Sequence, residues 1–471
     1  MAKKSRKALT RLADVLEYCR HDEAPITLLG ATPFGCLGLG GWAPGLQHVS
    51  ALDCIAGLHR GTFSPETDKL AVFHTAAETC NELLRHSEVR MHLNSRGPGH
   101  LWPTDADEET HFLAKELGQD ILLAKPDIRR KLSDPVELRS LLEKSGVAFV
   151  PQTTGVATSH EELMVLARKA KFDGAVVVQT TDENGEKNTS FISRAKDWDN
   201  NKDALAGKPL TISRYILHTS HLVEAVAMVG GHVSGPVFQL LNAPGIAGIV
   251  ADASVAEGVR SAVVTAVKKI ASAIVELGFV GTFTCTFYVE TGTGKVFLRH
   301  LLPSLTVYSQ LTHFLTSLHG GVPLHLFHLL SHADVDVDLD FNAIQKRWSE
   351  HPRWTQLVLR HDIAGTDFIT KSPASSIYAL DQNEQPELVA DSVRLQDLRS
   401  QKECLFLRTL GTGTYRSKGL ECGLLFASGN MFDNESAGRW ASAMESMFNA
   451  VQMSGTSLPT PGDAGARISL F

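Results

Sequence analysis

The stretch from Gly281 to Thr312, GTFTCTFYVETGTGKVFLRHLLPSLTVYSQLT, constrains the fold more than any other part of the chain. Phe283, Cys285 and Phe287 alternate with polar residues, the period of a half-buried strand. Thr291 to Gly294 supply a tight turn, and Val296 to Leu302 runs back as a second strand. By the same two-residue period, Glu290 shares a strand face with Thr286. At 471 residues and 43% hydrophobic, the chain is long enough to bury two or three cores around such elements.

Residues 8 to 20 read as an amphipathic helix by the spacing of Leu9, Leu12, Val15 and Leu16. Ile26 to Gly30 begins a strand that runs into the glycine-rich GATPFGCLGLGGW, and strand and helix patterns alternate from there to about residue 125. Helices are predicted at 134–145, with Asp134 as N-cap and Pro135 in the first position, and at 159–171. A long helix from Val255 to Leu277 carries an apolar stripe through Val259, Val263, Val267 and Ile270. Short β-like stretches (LVLR, DFITK, SIYAL, CLFLRTL, GLLFAS) fill Thr355 to Leu425, and a helix follows from about Ser436 to Val451. The polar tail after Met453 is expected to be loosely ordered, and no internal repeat is visible.

The hairpin resembles the end of the ATP-grasp domain of biotin carboxylase and of carboxylate–amine ligases. There the first strand carries an acid just before its Phe, and the second carries Glu-x-Asn-Pro-Arg followed by Leu-Thr. Phe287, Pro303, Leu305, Thr306 and Ser309 to Thr312 fit that outline without a gap. Asp134 to Pro151 (DPVELRSLLEKSGVAFVP) is similar to the family segment Asp-Lys-x-x-x-Arg ending in Gly-Val-x-x-Pro, with Pro135 in place of the Lys. Gly174 to Gln179 is similar to the buried strand that ends in an ATP-contacting Lys, a position falling on Val178 or Gln179. Leu210 to Ile216 resembles the hinge that hydrogen-bonds adenine, with Ser213 in place of the acid and Arg214, Tyr215 and Ile216 retained.

The resemblance spans roughly residues 25 to 335. It implies an α/β fold class of the α+β ATP-grasp kind: an N-terminal arm and helix (1–24), a pre-ATP-grasp α/β domain (25–132), a first lobe (133–210), a second lobe (211–335), a C-terminal α+β domain (336–453) and a tail (454–471). It also places the nucleotide at Val178, Gln179, Ser213, Arg214, Tyr215 and Ile216. The metal positions fall on Thr286, His300 and Leu302, and the family Arg on Ser304. Mg²⁺ wants octahedral oxygen ligands, usually carboxylates and phosphates, and a hydroxyl, an imidazole and an isobutyl group do not supply them. The loop Thr180 to Ser190, where a phosphate-wrapping flap is expected, holds Gly185 beside Asp182, Glu183 and Glu186.

The expectation is therefore a degenerate ATP-grasp protein with no metal and no cofactor. It would act as partner subunit of an active ligase, as a homo-oligomeric scaffold, or as a binder of a small molecule in the cleft between the two lobes. The alternative is an active ATP- and Mg²⁺-dependent ligase forming an amide or peptide bond. In it Glu290 or Asp252 would recruit the metal, Arg214 and Arg299 would assist the phosphates, and His300 would serve as an acid–base group.

A net charge of −7 argues against a nucleic-acid binder, and Lys3, Lys4, Arg6 and Lys7 read as a solvated arm. No apolar run reaches membrane-spanning length and no secretory stretch opens the chain, so a cytoplasmic protein is expected. Seven cysteines without a CxxC pair fit reduced thiols. Gly35 to Trp42 reads as a tight turn, with a ligand role as its rival. Gly292-Thr-Gly-Lys295 reads as a hairpin turn, and Gly411 to Gly419 as a loop with exposed Arg416 and Lys418. His325, His328 and His332 repeat at helical spacing near His319, Asp334 and Asp336. A half-buried packed helix is the expectation there, a transition-metal site the alternative. No nucleophile constellation stands out.

Overall fold

The computed structural model describes residues 7–21, 24–56, 58–59, 61–66, 75–181, 187–243, 246–252, 255–333, 335–363, 365–429 and 434–452. Lys3, Lys4, Arg6, the expected flap residues Asp182 to Glu186, Asp334 and the tail lie outside them.

The first layer is a parallel sheet ordered Thr62–Phe63, Leu46–Ser50, Ile26–Gly30, Gly99–Pro103, Gln119–Ile121. Ile26–Gly30 is buried at every position, as a central parallel strand covered on both faces must be. The helix Ala76–Arg85 starts in a capping box, Thr75 accepting from the Glu78 amide. The second unit is an antiparallel sheet ordered Gln152–Val156, Pro209–Arg214, Val176–Thr181, Lys187–Ile192. Ser159 caps His160–Lys169, which packs on this sheet, and Asp134 accepts from the Val136 and Glu137 amides before Pro135–Lys144, whose Leu138 and Leu142 pack instead with helix Glu257–Glu276.

The largest sheet runs Val296–Leu302, Gly281–Glu290, His218–Met228, Phe238–Ala243, Ile246–Ala251, Trp354–Arg360, Glu421–Ser428, Glu403–Arg408, Ser376–Leu380, Pro386–Ala390, with Gly231–Ser234 added to His218–Met228. The second lobe and the C-terminal region thus share one continuous sheet, joined where Ile246–Ala251 pairs Trp354–Arg360. Helix Glu257–Glu276 buries Val263, Val267, Ile270 and Ile274 against the lobe-2 part of this sheet. The five predicted C-terminal strands are all present. Pro386–Ala390, Tyr415–Ser417 and Asn449–Gln452 were not anticipated.

Four expectations change. The helix expected to run from about Ser436 to Val451 ends at Ser446, because Asn449–Gln452 forms a strand antiparallel to Thr366–Lys371. The N-terminal helix begins at Leu12, because Lys7–Leu9 forms a strand parallel to Val335–Val337. Arg416 is buried rather than exposed, ion-paired with Glu445 at 2.6 Å and Asp367 at 3.5 Å. On helix Leu324–His332, His325 and His328 are wholly buried rather than at a half-exposed border. His328 accepts from the Thr282 amide at 3.0 Å, donates to the Leu122 carbonyl at 2.9 Å and stacks on Trp102 at 3.9 Å. The close approach of His328 is why position 281 is glycine: φ is +112° there, and a Cβ would lie 2.9 Å from the imidazole. Among the described residues no helix is long and apolar enough to cross a membrane, and all seven cysteines are free and buried.

Candidate functional site

The predicted hairpin is present with the predicted limits, and its register fixes the geometry of the site. Thr286 lies opposite His300 and Thr284 opposite Leu302. Between Thr286 and Phe287 the register slips, so Arg299 is an extra residue in the second strand. On the first strand Cys285, Phe287 and Val289 are buried while Thr286, Tyr288 and Glu290 form the partly exposed face. Period-two alternation therefore does place Glu290 on the Thr286 face.

On that face Tyr288 lines a cleft between the four-stranded sheet and this hairpin, with a volume near 280 Å³; Thr286 and Glu290 are not among its lining residues. The hinge residues Ser213, Arg214, Tyr215 and Ile216 line it together with Gln179, Arg299 and His300. Val178 does not. It is fully buried in the core of the four-stranded sheet with Ile212 and Trp198, whereas Gln179 reaches the cleft, its Nε2 donating to Thr189 at 3.1 Å. Pro135 stands on the wall, where a Lys would be expected. Leu302 is half exposed and faces a neighbouring cavity near 440 Å³ that also takes in Asp105, Asp107, Glu108 and Arg129.

The ionic pattern of the cleft is one-sided. Arg139, Arg214 and Arg299 line it with His218 and His300, and no described lining residue is an acid. Two of the three guanidiniums are already paired. Arg139 bonds Glu143 at 3.1 Å and lies 4.7 Å over the Phe149 ring. Arg214 bonds Glu290 at 3.0 Å, and the other Glu290 oxygen accepts from Thr293 at 2.7 Å. Arg299 has no carboxylate partner among the described residues. Its Nη1 donates to the Tyr288 hydroxyl, and its Cζ sits 5.0 Å over that ring. Burial pushes the Tyr288 phenol up, an effect Arg299 opposes. Tyr288 in turn lies 3.7 Å from the His218 ring, which is held by its own bond to the Ile216 carbonyl at 2.6 Å.

Both carboxylates named as possible metal recruits are engaged in ion pairs, Glu290 with Arg214 and Asp252 with Arg353 at 3.1 Å. Among the described residues no group of three or more His, Cys, Asp and Glu is arranged to hold a metal ion. The magnesium that the resemblance implies thus finds a hydroxyl, an exposed imidazole and an alkyl group at its three positions, and the donor set does not fit it. Sequence reasoning missed Tyr288, His218 and Arg139. Tyr288 was available from the same alternation that placed Glu290, and Arg139 is the Arg of the Asp134 segment.

Among solved structures, the chain is similar to an ADP complex of N5-carboxyaminoimidazole ribonucleotide synthetase, at 11% identity and a TM-score of 0.54 over 94% of this chain and 100% of that one. It is similar to an L-amino acid ligase from Bacillus licheniformis at 13% identity, TM-score 0.53, over 91% and 99% of the two chains. The biotin carboxylase subunit of pyruvate carboxylase gives 13% identity and a TM-score of 0.54 over 91% and 92%. No family model matches the chain, and no curated protein matches its sequence. At these identities the likeness shows a shared fold.

Proposed function

From the ATP-grasp fold that this chain carries, we propose that it is a non-catalytic protein that binds an anionic small molecule in its inter-lobe cleft without a divalent metal. The observation that supports this best is the Arg214–Glu290 ion pair. The acid on the old metal face and the hinge cation nearest a bound nucleotide neutralise each other, leaving Arg299 as the cleft arginine without an acid partner among the described residues. Two unit charges about 4 Å apart interact by roughly 4 kcal/mol at a surface-like effective dielectric. A tetra-anionic triphosphate deprived of magnesium and lysine is therefore poorly held. A ligand with a flat ring and one or two negative charges suits the Tyr288, Phe149 and His218 rings and the arginine edge better. In this reading the protein works in the cytoplasm as a ligand-sensing partner of an active ligase or of another copy of itself.

Isothermal titration with Mg·ATP tests the reading. The expected result is no saturable heat up to about millimolar nucleotide, a free energy no better than roughly −4 kcal/mol. AMP in EDTA is expected to raise the unfolding temperature of the wild type but not of Arg299→Gln. Micromolar Mg·ATP binding that Glu290→Ala abolishes would overturn this reading and support the active ligase instead.

A further inference from the structure

A second cavity, near 420 Å³, shares no lining residue with the inter-lobe cleft. Three parts of the fold meet there: the glycine-rich loop of the first domain, helix Ser309–Gly320 and the C-terminal segment around the turn Leu395–Asp397. The loop is clamped to the helix at both ends of one amide. Gln310 accepts from the Leu37 N–H at 2.8 Å and donates to the Leu37 carbonyl at 3.1 Å. Gly38, at φ +100°, then passes the His313 ring closely enough that a Cβ would lie 3.5 Å from Nε2.

The cavity wall carries polar groups with nothing to bond. His313 is 2% exposed, yet its Nδ1 finds no hydrogen-bond partner, and neither does the buried Ser317 hydroxyl one turn further on. Leaving such groups unsatisfied costs about 1–3 kcal/mol each. Burial, with His325 and His48 nearby, holds the His313 imidazole neutral, able both to donate and to accept. Arg394 supplies the charge. Its hydrogen bond to Ser392 uses the main-chain N–H, and the adjacent carboxylates Asp391 and Asp397 accept from Ser376 and Ser392 instead. Among the described residues no acid pairs with its guanidinium. The indole of Trp42 and the ring of Phe314 provide the apolar wall.

We propose that this cavity is a second ligand site, for a small monocarboxylate with an apolar or aromatic body, its carboxylate paired with Arg394 and its oxygens in reach of His313 and Ser317. A single guanidinium matches a carboxylate fork and one negative charge. A phosphate dianion would leave charge unbalanced against an otherwise neutral wall.

The test is calorimetric titration of the full-length protein with benzoate and, separately, with inorganic phosphate. Benzoate is expected to saturate, with affinity at least tenfold weaker in Arg394→Gln, whose side chain is exposed and removable without disturbing a core. Ser317→Ala is expected to weaken it further, and the loss in Arg394→Gln is expected to persist in an Arg299→Gln background, where the other cleft no longer contributes. Absence of saturable benzoate binding, equal affinity in Arg394→Gln, or saturation by phosphate alone overturns the proposal. Loss of benzoate binding in Arg299→Gln but not Arg394→Gln also overturns it, and would place the carboxylate in the inter-lobe cleft.

Discussion

Acidification should unfold this protein well before its carboxylates titrate, because four histidines are buried as neutral rings. Burial pushes His48 down to about 3 and His332 to about 4, and lowers His313 and His328 well below the ordinary imidazole range. In the unfolded chain each titrates near 6.5. Between that value and the depressed folded value the unfolded state binds more protons, so stability falls as pH drops through this window. At about pH 5 His48 and His332 each forfeit roughly 1.4 kcal/mol for each of about 1.5 pH units, or about 2 kcal/mol. Together they lose roughly 4 kcal/mol, a large part of the stability of an ordinary domain, and His313 and His328 act in the same direction. Glu421, raised by burial, works in the opposite direction, but as one group and in the carboxylate range. Urea unfolding followed by tryptophan fluorescence from pH 8 to 5 measures the effect. The expected slope near pH 5 is at least about 2.5 kcal/mol per pH unit, the signature of two or more protons taken up on unfolding. A slope of one proton or less would refute the claim that these rings are neutral in the folded state.

Breaking the Arg214–Glu290 pair should reveal a coupling near 1 kcal/mol in a double-mutant cycle of Arg214→Gln and Glu290→Gln, since both side chains are partly exposed; a coupling of zero removes the argument that the pair holds the cleft's charges. Gly320→Ala should cost at least about 2 kcal/mol in urea unfolding, because its Cβ would fall 2.0 Å from the buried Trp348 indole, whose N–H is already bound to the Val322 carbonyl. Restoring the donors with Thr286→Glu, His300→Glu and Leu302→Asn should create stabilisation by millimolar Mg²⁺ in thermal unfolding that the wild type lacks. An equal Mg²⁺ shift in the wild type would show that the site never lost its metal.

The strands of the hairpin, the helices at 135–144 and 160–169 and the C-terminal strand runs were legible because each depends on a local period or a capping residue. The continuous sheet was not, since Ile246–Ala251 and Trp354–Arg360 are separated by about a hundred residues and no local signal announces their pairing. Residues 8 and 9 looked helical for the same reason: the strand partner of Lys7–Leu9, Val335–Val337, lies far along the chain. The histidine helix was placed correctly but its burial was underestimated, because the stacking of Trp102 comes from another domain. In the site, alternation gave the face of Glu290. That Arg214 waits opposite it, 76 residues away in sequence, could be read only from the folded chain.

Pairing is not the only reason Glu290 cannot stand in for an acid at the Thr286 position. Thr286 and Glu290 share a face, but they are four residues apart on a strand that rises about 3.4 Å per residue, which separates their Cα atoms by roughly 13 Å. Magnesium–oxygen bonds are about 2 Å long, and the metal must also touch the donors opposite Thr286 on the second strand. His300 sits there, level with Thr286, whereas Glu290 pairs across with His218 on the other neighbouring strand, beside the hinge. Releasing Glu290 from Arg214 therefore frees a charge beside Arg214 and His218 rather than beside Thr286 and His300. A single substitution that only breaks the ion pair changes the electrostatics of the ligand pocket and leaves the metal positions as they are.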